Sequence, residues 1–221
     1  RDTDRSRGLG DVYKRQQLDR AGESVLTFNR DLAQQVIVRE KRVNAFELKI
    51  DSDVEDTIAL YNPVAIDLRF VLAMFKINSD LERLGDFAEG IARFVVRSDE
   101  TALDGELLRE LRIEEMQRQV LGMLEMTKTA LNEEDLDLAL AVFGKDNLLD
   151  QINADAPGVL TKYLGKHPDC FLTCLELGTV IRKLERAGDH ITNIAEEIVF
   201  FIDAKVLKHS RKVDERFIGK E

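Results

Sequence analysis

Glu185 and Asp189 stand four residues apart in the stretch LERAGDHITNIAEEIV (Leu184 to Val199), and Glu82 and Asp86 stand four apart in LERLGDFAEGIARFVV (Leu81 to Val96). Four residues is just over one helical turn, so each pair presents its carboxylates on a single helix face. Like charges at that spacing repel. A hard cation such as Mg²⁺, Mn²⁺ or iron, drawing oxygen ligands from both, turns the repulsion into binding. In a chain with 42 Asp and Glu among 221 residues, about eight such pairs are expected by chance, so one alone says little. These two differ in their setting: eight of sixteen positions are identical between the stretches, at a constant offset of 103 residues. The offset is about half the chain and marks an internal duplication.

Further acids fall where a bundle would turn them toward these pairs. Asp146 and Asp150 repeat the spacing in KDNLLD, on the helix expected to face Glu185 and Asp189. Their counterparts 106 residues earlier are Glu40 and Asn44, where a neutral amide replaces one carboxylate and weakens the first set. Converging acids from two helices can hold more than one ion. Arg83 and Arg186, each next to its Glu, are placed to orient the acids or to meet a phosphate or partner. His190, directly after Asp189, is either a further ligand or a capped or surface side chain.

Helices must carry these residues. From Gln17 onward six segments have helical periodicity, at about Leu18 to Asn29, Asp31 to Asn62, Pro63 to Val96, Glu106 to Leu131, Asp135 to Leu164, and from Pro168 to about Leu207. Asp31 is a plausible cap for the second, and Pro63 and Pro168 open the third and sixth at matching places. Pro157, followed by Gly158, is expected to kink or split the fifth. In the sixth, Leu177, Ile181, Leu184, Gly188, Ile191, Ala195, Ile198 and Ile202 alternate four and three apart, the seam of a helical bundle. Gly85 and Gly188 sit mid-helix, where glycine costs about 1 kcal/mol against alanine, which implies close approach of another backbone. The fold class is therefore all-α, two tandem three-helix bundles. Residues 17–98 form the first, 99–209 the second and 210–221 a tail, with the polar stretch RSDETALDG at the boundary.

Residues 1–16, RDTDRSRGLGDVYKRQ, lack apolar periodicity and carry a net charge of +2 in a chain of net −10. They resemble translated adapter sequence and are set aside as a non-native leader. The first helix is then short, and an apolar groove is expected where its other half is missing. The acidic balance argues against nucleic acid and suits cations or basic partner surfaces. No run of about 18 apolar residues exists to enter a membrane, and no signal peptide is present, which points to the cytoplasm. Cys170 and Cys174, four apart, read as a reduced pair of small core side chains.

The stretch NPVAIDLRFVLAMFKINSDLERLGDFAEGIA (Asn62 to Ala92) and LERAGDHITNIAEE resemble the paired signatures of the PhoU family, and the likeness spans about Gln17 to Lys208. That resemblance implies two similar three-helix bundles and multinuclear clusters of iron, zinc or a related metal (Mn or Mg), held by Glu82, Asp86, Glu185, Asp189, Asp146 and Asp150. Glu40 stands in the seventh place, beside the departure at Asn44. It also implies a non-enzymatic negative regulator of phosphate uptake and of the phosphate-starvation response, touching the phosphate transporter's ATPase subunit and a phosphate-sensing histidine kinase. A homodimer is compatible with the heptad stripes. Two other readings stay open on the residues alone: a carboxylate-bridged metalloenzyme, against which no Glu-x-x-His occurs at His167, His190 or His209, and a structural scaffold whose acids bind nothing.

Overall fold

The computed structural model describes the backbone of residues 2–203, and the side chains of these except 2–13 and 41–47. The expected tail, the last turn of the sixth helix, His209, and the side chains of Asn44 and of most of the leader lie outside the described residues. Among the described residues seven α-helices follow one another: α1 (Asp2–Leu26), α2 (Arg30–Tyr61), α3 (Ile66–Arg97), α4 (Gly105–Glu110), α5 (Ile113–Glu133), α6 (Leu136–Leu164) and α7 (Phe171–Asp203). A 3-10 turn at Pro168–Cys170 leads into α7. Among the described residues there is no strand, and no helix is long and apolar enough to cross a membrane.

Local chemistry sets the helix ends. Asn29, not Asp31, caps α2, its side chain accepting from the Leu32 N–H at 2.9 Å, while Asp31 lies in the first turn where it complements the helix dipole. Asp135 caps α6 in the same way through the Leu138 N–H. The expected fourth helix is two: Arg112 adopts a left-handed φ of 54° and ends α4, and its guanidinium holds Glu115 at 2.7 and 2.9 Å. The break buries Leu111 and Ile113 on either side of it, which repays the strained residue. Pro157 does not split α6, because it lies on the solvent face, where the carbonyl it leaves unbonded can meet water. Cys170 lies in the 3-10 turn and Cys174 is buried in α7; both are free thiols.

α1, α2 and α3 pack as one bundle, and α5, α6 and α7 as the other, with α4 against the open end of the second. α1 is 25 residues long rather than the twelve its periodicity suggested, and Lys14 and Gln17 in it are buried. What is left open in the first bundle is its α2–α3 end, where Leu60, Tyr61, Val64 and Ile66 are exposed. The seam read from α7 is buried throughout, except for the half-buried Ile202.

α3 and α7 join the halves, running antiparallel. Phe70 meets Phe201 edge-on, Lys76 pairs with Glu197 at 2.8 Å, Asp80 meets His190 Nδ1 at 2.8 Å, and Thr173 donates to Glu100 at 2.8 Å. One hydrophobic core runs through both bundles across this seam. The residue numbers of the contacts fall on one side as they rise on the other, so Gly85 and Gly188 stand at the same height near the middle of the molecule.

Candidate metal site in the second repeat

Asp146 and Asp150 on α6 face Glu185 and Asp189 on α7. The approach is permitted by Gly188: a Cβ there would collide with the side chain of Leu149 and come 2.7 Å from Asp146 Oδ1. The glycine is thus required, but to admit neighbouring side chains rather than another backbone. Asp146 Oδ1 is buried and has no hydrogen-bond partner. A buried acceptor without a donor is costly, so this oxygen is poised for a cation or a proton. Burial, and then the charges of Asp150, Asp189 and Glu185, push the Asp146 carboxyl from 3.8 up to about 7. Glu185 is also raised, first by burial and then by Asp189 and Asp150, against the opposing pull of Arg186 and Arg182. Two of the four carboxylates, Asp146 and Glu185, thus bind a proton more readily than free acids do, because the site gathers negative charge in a partly desolvated place.

The first repeat is built differently. Glu40, at the place of Asp146, is 2% exposed, and its Oε1 accepts from Lys14 Nζ at 2.9 Å while Gln17 Nε2 reaches Oε2 at 3.4 Å. Lys14 and Glu40 both lie against Gly85, as Asp146 lies against Gly188. An ammonium stands here beside the acid. Glu82 and Asp86 are exposed, with Asp86 at 3.4 Å from Arg83. Among the described residues Arg83 thus makes only this exposed contact with an acid of its own helix, whereas Arg186 stacks 5.5 Å above the Phe87 ring across the seam. His190 points to Asp80 on α3, which periodicity along one helix could not reveal.

The donor set tests a metal in two ways. In the second repeat the all-oxygen chemistry, the orphaned Asp146 oxygen and the space opened by Gly188 fit a hard cation. Among the described residues, no three His, Cys, Asp or Glu side chains are gathered closely enough to hold an ion as they stand. Binding there calls for rotamer changes by Asp150, Glu185 and Asp189, which lie on or near the surface. In the first repeat the Lys14 ammonium beside Glu40 does not fit a cation.

Comparison with known proteins decides the family. The PhoU domain model matches residues 13–95 and again 113–198, one match to each bundle. The chain belongs to the PhoU family. A PhoU homolog of Caulobacter vibrioides, named as a phosphate-specific transport system accessory protein, is 35% identical over 181 residues, covering 81% of this chain and 77% of the relative. A homolog of that name from Thermotoga maritima is 29% identical over 191 residues, or 86% of this chain and 82% of the relative. The crystal structure of PhoU from Pseudomonas aeruginosa superposes with a TM-score of 0.82 at 27% identity, covering 92% of this chain and 97% of that one. The regulatory protein PhoU from Streptococcus pneumoniae gives 0.79 at 25% identity over 92% and 95%. The all-α architecture of two tandem bundles is the PhoU fold.

Proposed function

We propose that this chain is a cytoplasmic accessory protein of a phosphate-specific transport system that restrains phosphate uptake and the phosphate-starvation response. It acts as an adaptor, not an enzyme, between the transporter's ATPase subunit and a phosphate-sensing histidine kinase. The observation that carries this reading is the double family match, which spans both bundles and places an L-E-R-x-G-D motif at the same point of each. The names of the relatives agree with it: they are accessory proteins of that transport system.

The second-repeat carboxylates serve this role as a cation site. Asp146, Asp150, Glu185 and Asp189 would hold the ion, which neutralises their mutual repulsion and ties α6 to α7. Gly188 keeps the approach open, and Arg182 and Arg186 limit the excess charge. Iron, zinc, manganese and magnesium are the candidate ions, with an oxygen-only set favouring the harder ones. The experiment is deletion of the gene in its host, followed by alkaline phosphatase assay in phosphate-rich medium. Derepression, reversed by the wild-type gene, is expected; phosphatase activity that stays repressed in the deletion strain refutes the regulatory reading.

A further inference from the structure

α3 carries an outward stripe at alternating four- and three-residue spacing: Leu68, Leu72, Phe75, Ser79, Glu82 and Asp86. Leu72 is 39% and Phe75 44% exposed, and Glu82 and Asp86 are both exposed. Below them the α2–α3 turn adds Tyr61 (78%) and Ile66 (54%). Large apolar side chains thus lead along one helix face into a pair of carboxylates. At 1.5 Å per residue, Glu82 lies about 10 Å and Asp86 about 16 Å beyond Phe75.

The equivalent stripe on α7 is Phe171, Leu175, Gly178, Arg182, Glu185 and Asp189. There the large side chain at the third place is gone, a cation interrupts the fourth, and the acids face those of α6. The α3 stripe keeps its apolar run, and among the described side chains its acids are met by the exposed Arg83, whose 3.4 Å contact with Asp86 is of the kind that contributes little and is readily exchanged. Of the other cations beside it, Lys76 is already held by Glu197. The two faces therefore differ at the third and fourth places and in what their acids meet, although Phe171 and Leu175 on α7 are exposed as well.

We propose that the exposed α3 stripe is a docking face for an amphipathic helix of a partner protein. That helix sets apolar side chains three and four apart on Leu72 and Phe75 and carries Lys or Arg about two turns further along, against Glu82 and Asp86. The proposal rests on the adaptor reading and supplies the face through which one partner is held. The charge pattern selects a basic helix over an acidic one, and the apolar run selects a folded amphipathic segment over a flexible basic tail.

The test uses the full chain and a fluorescein-labelled 18-residue amphipathic helical peptide, leucines at three-four spacing in its first half and lysines in its second. A control peptide has glutamates for lysines. Anisotropy titration is expected to give saturable binding that weakens with salt and is absent for the control. Phe75→Ser and Leu72→Ser should each weaken it at least about tenfold, and Glu82→Gln with Asp86→Asn several-fold, while Leu175→Ser on α7 leaves it unchanged. These side chains are exposed, and unchanged melting confirms that the variants fold. No binding of the lysine peptide, or binding that ignores the α3 variants, overturns the proposal. So does light scattering that shows a dimer dissolved by Phe75→Ser, since the face would then belong to a second copy. Repression of phosphatase retained by a Phe75→Ser, Leu72→Ser gene sinks the docking face and leaves the adaptor reading standing; loss of repression with intact folding supports both.

Discussion

Replacing Asp146 by asparagine tests the electrostatics of the α6–α7 site directly. In the unfolded chain this carboxyl titrates near 3.8, and in the folded protein it is held up to about 7 by burial and by its three acidic neighbours. Below about pH 4 both states hold the proton and the site has no effect on stability. Between about 4 and 7 the folded state keeps a proton that the unfolded chain gives up, so stability falls as pH rises. Above about 7 the cost is complete. At face value it is about 4 kcal/mol; Asp146 is only part-buried, and solvent screening brings the expectation to about 2 kcal/mol. Asparagine keeps the shape and cannot ionise. Thermal melts of wild type and Asp146→Asn in chelator should coincide near pH 4 and separate at pH 8. There the variant melts about 4–8 °C higher, at about 2–4 °C per kcal/mol for a chain of this size. An asparagine variant equal to or less stable than wild type at pH 8 would refute the account of Asp146 as a strained acid.

Two further substitutions probe the packing. Gly188→Ala inserts a methyl against the buried Leu149 and should destabilise by about 1–3 kcal/mol, whereas Gly144→Ala, on the exposed side of α6 with open space around it, should stabilise by about 0.5–1 kcal/mol; urea unfolding of both reads the opposite signs. Lys76→Met removes the partner of Glu197, a carboxylate only 6% exposed, and should cost about 2 kcal/mol in the same assay, most of it restored by adding Glu197→Gln.

The helices that carry the acids were legible because α3 and α7 repeat one another residue by residue, and apolar side chains at three-four spacing leave few alternatives to a bundle seam. The pairing of Asp146 with Glu185 followed from the same logic, since i,i+4 acids on facing helices of a short-looped bundle must meet. What escaped lay in contacts distant in sequence or in single backbone choices. Asp80 and His190 are 110 residues apart, and nothing in either helix marks the other as its partner. The break at Arg112 needs one residue in the left-handed region, which no glycine or proline announced. Pro157 does not split α6, because the cost of a helical proline depends on which face it occupies. The divergence of the repeats was visible in Asn44, which stands where the second repeat has Asp150; the Lys14 ammonium beside Glu40 comes from the stretch expected to be a non-native leader, and its contact is a long-range one that spacing does not reveal.

The measurement that bears most directly on the α6–α7 site is metal content per chain. The protein is to be prepared anaerobically with iron, zinc, manganese and magnesium supplied, beside Glu185→Ala/Asp189→Ala and Glu82→Ala/Asp86→Ala double variants. Metal retained by the wild type and by the Glu82/Asp86 variant, and lost from the Glu185/Asp189 variant, is the predicted result. Metal absent from all three, or lost only with Glu82 and Asp86, would contradict it.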